Sequence, residues 1–140
     1  MILIEDLEIA PHLTYGEMMD RESGLCLAHL RLLHAWTAFR GQLGHPIRVN
    51  SGFRTESYNR KIGGSPRSRH LLGMAIDMQC AVIDLSDLEM IPMLICCGFR
   101  GIGRGDGWIH ADVRSTATFW RYTDAGIVRD IEAYNVHEGG

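Results

Sequence analysis

The stretch Trp108-Ile109-His110-Ala111-Asp112-Val113 constrains the fold more than any other part of the chain. Side chains along a strand alternate between two faces. Ile109, Ala111 and Val113 therefore share one face, and Trp108, His110 and Asp112 share the other. The first face is wholly apolar and calls for a core. The second carries an imidazole and a carboxylate, which are costly to bury unless something satisfies them. A second segment repeats the pattern: Gly73 to Cys80 reads as a strand, with Met74, Ile76 and Met78 on one face and Ala75 and Asp77 on the other. Gly73 permits a turn that brings His70 back over this strand, and the small Ala75 leaves room against the sheet. The strand at 108–113 taken alone also fits a half-exposed strand with a solvated polar face.

Elsewhere the chain alternates helix and turn signals. Thr14-Tyr15-Gly16-Glu17 is a capping box that opens a short helix. Residues 25–43 form the clearest helix, with Cys26, Leu30, Leu33 and Thr37 at helical spacing and Trp36, Phe39 and Leu43 widening the stripe. Gly44, His45 and Pro46 end it. Ile47 to Asn50 alternates like a strand, and Ser51-Gly52-Phe53-Arg54 turns into a polar stretch, Thr55 to Lys61. Gly63-Gly64-Ser65-Pro66 is a loop by composition. Ser86-Asp87-Leu88-Glu89 is a second capping box leading toward Gly98, and Pro92 makes that helix start late or kink. Glycines at 101, 103, 105 and 107 mark a glycine-rich run, and the tail after Trp120 suggests a last strand pair. Helices come first and strands cluster later. The expected fold is α+β, a small antiparallel sheet packed with helices. With no repeat or linker in its 140 residues, the chain reads as a single domain over 1–140.

Composition excludes several functions. A net charge of −3 gives no global pull toward nucleic acid or membrane, and no apolar run nears the ~18 residues of a membrane span. The basic run Arg54, Arg60, Lys61, Arg67 and Arg69 could meet phosphates, but only Phe53 and Tyr58 accompany it, and a solvated surface is the plainer reading. Met1 to Ala10 lacks the basic start and long apolar stretch of a signal peptide, so synthesis in the cytoplasm is expected. No C-x-x-C pair exists among Cys26, Cys80, Cys96 and Cys97; the last two read as core thiols, and no disulfide framework is expected. His12, His29, His34, His45 and His137 read as structural or solvated.

Two imidazoles and one carboxylate suit one zinc ion and leave a fourth position for water, as hydrolytic zinc sites do. The segment Ser68 to Asp77 also matches the pattern S-x-H-x-x-G-x-A-x-D. With Trp108-Ile109-His110-Ala111-Asp112 and Ser51-Gly52-Phe53-Arg54, it resembles the zinc D-Ala-D-Ala carboxypeptidases and murein endopeptidases, whose fold is shared with the Hedgehog signalling domain. The resemblance implies a Hedgehog/DD-peptidase-like fold and zinc held by His70, Asp77 and His110. It implies a catalytic and substrate-binding role for Arg54, whose plain alternative is a surface pair with Glu56. Ser68 is expected to hydrogen-bond substrate or a ligand, or to be an ordinary loop serine.

One departure stands out. Many relatives carry a glutamate general base three residues before the last ligand, where this chain has Gly107. Asp106 is the first replacement candidate, unless it is simply the Asp of an Asp-Gly turn. Asp112 is the second, or else an outer partner that fixes the His110 tautomer. The expected function is a zinc metallopeptidase acting on peptidoglycan stem peptides or cross-links, as a monomer without nucleic-acid or membrane partners. Its context would be a phage or prophage endolysin acting on the wall after release. The alternative is an inactive zinc-binding module for cell wall or a protein partner, like the Hedgehog relatives, which the missing glutamate favours.

Overall fold

A computed structural model describes residues 1–79 and 87–129, with the side chains of 87 and 88 left aside. A 3-10 turn, Ile4–Asp6, leads into a small hairpin, β1 (Glu8–Ala10) and β2 (Leu13–Thr14), followed by a one-turn helix α1 (Tyr15–Met18). The capping box forms: Glu17 N–H donates to Thr14 Oγ1 at 3.1 Å, and Thr14 N–H donates to Glu17 Oε1 at 2.9 Å. Helix α2 spans Leu30–Leu43 and is shorter than expected. Its start is fixed by His29, whose Nδ1 accepts from Arg31 N–H, while His29 N–H donates to Gly73 O and ties the preceding segment to the turn at residue 73. The buried stripe is Leu32, Ala35, Trp36, Phe39 and Leu43, so Leu30 and Thr37 face outward rather than forming the expected stripe. Gly44, at φ 77°, ends the helix in the left-handed conformation.

After β3 (Arg48–Ser51), the polar stretch forms helix α3 (Glu56–Lys61), which has no apolar stripe to betray it. Thr55 caps it, accepting from Tyr58 N–H at 3.2 Å. Then follow β4 (Ala75–Gln79), α4 (Asp87–Cys96), β5 (Gly101–Arg104), β6 (Trp108–Asp112), β7 (Thr118–Thr123) and β8 (Gly126–Arg129). Pro92 lies inside α4. The expected cap at Ser86, like Cys80 and His137, falls outside the described residues. Cys96 is exposed rather than the core thiol expected, because the end of α4 reaches the surface, while Cys97 is half-buried and packs against the core; both are free, as is Cys26.

The last six strands form one sheet in the order β3-β4-β6-β5-β7-β8. It is mixed rather than purely antiparallel, because β5 and β7 run parallel. One face, with Val49, Ile76, Met78, Ile102, Ile109, Ala111 and Phe119, packs into the core with α2 and α4 residues. Phe39 and Phe99 meet there edge to face at 6.4 Å. The other face carries the polar residues. Register places Ser51, Asp77, His110, Gly103, Trp120 and Arg129 in one row across all six strands. Glycine is a poor strand former, yet the alternate glycines of β5 clear space on this face. A Cβ would lie 2.2 Å from Asp112 Oδ1 if added at Gly101, and 2.3 Å from Trp120 Nε1 if added at Gly103.

Candidate metal centre

His110 and Asp77 sit opposite each other on β6 and β4. His70 arrives from a 3-10 turn, Arg69–Leu72, whose cap Ser68 accepts from His70 N–H at 3.2 Å. Gly73 closes that turn at φ 65°, a conformation glycine adopts without strain. A ligand atom from each of His70, Asp77 and His110 lies within 4.8 Å of the others. Asp77 Oδ1 is 3.1 Å from His70 Nε2 and 3.0 Å from His110 Nδ1. Tetrahedral ligand atoms with bonds of ~2.0–2.1 Å stand about 3.3 Å apart, so the spacing fits a shared cation.

The far side of each ligand is held as well. His70 Nδ1–H donates to Gly52 O at 2.6 Å, since a carbonyl can only accept. His110 Nε2–H donates to Asp112 Oδ2 at 2.7 Å. These bonds leave His70 Nε2 and His110 Nδ1 bare, facing a carboxylate oxygen. Three lone pairs converge and repel unless positive charge sits among them. Burial pushes the His70 pKa down, which favours the neutral ligand form. For His110 burial acts in the same sense, but the flanking Asp112 and Asp77 carboxylates favour the cationic form, outweigh it and draw the pKa up, so the place attracts positive charge. Burial would raise Asp77, yet the two imidazoles hold it well below the usual carboxylate range. The donor set therefore fits a divalent cation.

Three groups of Ser51-Gly52-Phe53-Arg54 serve this centre: the Ser51 hydroxyl, the Gly52 carbonyl and the Arg54 guanidinium. Gly52 O holds His70. Arg54 Nη2 donates to Asp77 Oδ2 at 3.2 Å, which leaves Oδ1 to the imidazoles. Ser51 Oγ and Asn59 Oδ1 hold the guanidinium at 3.1 and 3.3 Å. Arg54 thus turns inward rather than pairing with Glu56. Asp112 is fully buried, and Arg114 grips it through Nε at 2.9 Å and Nη2 at 2.7 Å. Burial raises the Asp112 pKa, but the bonds from Arg114 and His110 overcome this and hold it low. Its oxygens are occupied from behind His110, the arrangement of an outer partner that orients a ligand.

The centre opens into a cavity of about 820 Å³ lined by Arg54, Ser68, both histidines and Asp77. Trp108, Trp120 and Tyr122 also line it, with Arg67, Arg69, Arg114 and Arg129. Asp106 is exposed in the turn joining β5 to β6 and does not line the cavity. Asn59, Arg114, Trp120 and Tyr122 escaped the sequence reading. Arg114 shares the alternation of His110 and Asp112 two residues beyond the strand, and Trp120 and Tyr122 alternate in the same way on β7; that parity was the available signal.

A mixed sheet whose polar face presents two imidazoles and a carboxylate to an open cavity defines a metallopeptidase-like hydrolase architecture. The sequence model described as Peptidase M15 matches residues 11–112, so the chain belongs to the peptidase M15 family of zinc peptidases. The match spans His70, Asp77, His110 and the Ser51–Arg54 motif, and it meets the expected likeness to zinc DD-peptidases. The comparison with curated proteins gives no match.

Proposed function

We propose that the chain is a zinc peptidase that hydrolyses a peptide bond in peptidoglycan stem peptides or their cross-links. The observation that carries this reading is the convergence of two bare imidazole nitrogens and one carboxylate oxygen on an open cavity, each fixed from behind. Zinc held by His70, Asp77 and His110 would supply Lewis acidity and a water whose pKa falls to about 7. The chain's own groups do the rest. Arg54 keeps Asp77 oriented and offers a guanidinium where negative charge develops on the attacked carbonyl oxygen. Asp112 and Gly52 fix the two histidine tautomers. Ser68 holds the turn that presents His70 and faces the bound peptide.

The cavity's charge favours an acidic peptide. Five arginines line it, and Asp77 is the only carboxylate among the described lining residues. Peptidoglycan stem peptides carry carboxylates, and the family membership points the same way. Action on the wall after release from the cytoplasm, as in phage lysis, completes the proposal.

A second reading has its own support. With Gly107 at the usual glutamate position and no spare carboxylate lining the cavity among the described residues, the chain could bind metal and wall without cutting. Zymography on purified murein separates the two. Clearing that vanishes with chelator and returns with zinc supports the peptidase. Metal uptake with no cleavage supports the binding module.

A further inference from the structure

We propose that the Tyr122 hydroxyl delivers the proton that the leaving amine takes as the peptide bond breaks, in place of the carboxylate missing at position 107. This rests on the peptidase reading above. An amine departs from a tetrahedral carbon only when its nitrogen is protonated, and enzymes place an acid for that purpose. Among the described residues lining the cavity, few groups qualify. Arginines do not release their protons. Asp77 is ionised, and the outer histidine protons are tied to Gly52 O and Asp112. The aliphatic hydroxyls of Ser65, Ser68 and Thr118 and the indoles are far weaker acids than a phenol of pKa about 10.

Placement supports the role. Tyr122 lies two residues beyond Trp120 on β7 and so points to the same sheet face, and Trp120 packs 5.3 Å from the His110 ring. The Tyr122 ring stacks on Trp108 at 4.9 Å and 27°, and meets Trp120 edge-on at 6.2 Å. Gly103 and Gly105 make this packing feasible. A Cβ at Gly103 would come within 2.8 Å of Tyr122 Cε2, and one at Gly105 would strike the Trp108 indole. The phenol is thus held by two indoles on the cavity wall, yet the residue stays 37% exposed and open to a ligand. Burial pushes its pKa up, which keeps the proton on oxygen at neutral pH.

The step balances. The oxygen of water bonds to the carbonyl carbon, the C–N bond breaks with its electron pair going to nitrogen, and Tyr122 passes its proton to that nitrogen. The attacking water gives up its proton to bulk solvent as it ionises, and the phenolate takes one proton back from solvent after the amine leaves. One water is consumed and the tyrosine is restored.

The test uses the full chain loaded with zinc and a defined murein stem peptide, alongside the same molecule with an ester at the scissile bond. Tyr122→Phe keeps the ring and its stacking. Its kcat on the peptide is expected to fall about 100-fold, in the range of a lost acid, with KM and metal content unchanged. On the ester, whose leaving oxygen needs less help, the fall should shrink to about tenfold or less. A variant matching wild type on the peptide, or losing equally on both substrates, overturns this inference alone. A larger loss in Asp106→Ala than in Tyr122→Phe also overturns it. A metal-loaded wild type that cleaves neither substrate overturns the peptidase reading and this inference with it.

Discussion

Arg114→Met tests the support behind the metal centre. The guanidinium makes two hydrogen bonds to the fully buried Asp112, at 2.9 and 2.7 Å, and lies 4.9 Å over the Trp120 ring. Methionine retains much of the packing over the indole but removes the charge. Among the described residues, the Asp112 carboxylate then keeps His110 Nε2–H and the backbone N–H of residue 114, at 2.7 and 3.1 Å. Breaking one side of a buried ion pair costs about 3–5 kcal/mol. The two surviving bonds place the loss near the lower end, about 3 kcal/mol, which for a chain of this size is a fall in Tm of roughly 10 °C. Metal affinity should drop about 10- to 100-fold, because the carboxylate that orients His110 is no longer anchored. Thermal unfolding of the metal-free protein and competition against a chromophoric chelator read the two effects separately. A Tm within about 2 °C of wild type together with unchanged metal affinity would refute the reasoning.

Three further substitutions follow from the local surroundings of single residues. Gly103→Ala puts a Cβ 2.3 Å from Trp120 Nε1 and 2.5 Å from its Cε2, so the indole must move; a loss of about 1–3 kcal/mol and a shifted tryptophan emission are expected. Gly41→Ala, in α2 with nothing within 4 Å, should instead stabilise by about 0.5–1 kcal/mol, read by urea titration. Asp20 is buried and accepts from Thr55 N–H and Ser23 N–H, each at 2.8 Å. Burial would raise its pKa, but the bonds from Thr55 and Ser23 prevail and lower it. Its contribution is therefore full above the unfolded value of about 3.9 and is lost as pH falls below it. Asp20→Asn should cost about 2 kcal/mol at pH 7, and urea titrations should show the gap to wild type closing under acid; a gap constant down to pH ~3 would contradict the linkage.

The parts of the fold legible in the sequence are those with a local signature. Period-two alternation around His110 and Asp77 marked both strands and the face each presents, and the Thr14 box marked α1 down to its hydrogen bonds. What escaped depends on distant partners. Strand β5 is half glycine, a poor strand former whose run reads as a loop; it is a strand because β6 and β7 pair with it on either side. Nothing local says that β7 runs parallel to β5. Helix α3 is too short and polar to show a stripe. The first residues expected in α2 lie outside it because His29 is bonded to Gly73, 44 positions later. At the site, residue types and spacing pointed to the three ligands, whereas Arg114 and Asn59 act through contacts with Asp112 and Arg54 that sequence spacing alone does not reveal.

Equilibrium dialysis against zinc, followed by elemental analysis, addresses the shared cation directly. One ion per wild-type chain is expected, with that ion lost from His70→Ala, Asp77→Ala and His110→Ala while the fold persists by circular dichroism. Wild-type protein that takes up no zinc, or stoichiometric binding that survives all three substitutions, would contradict a centre built from these side chains.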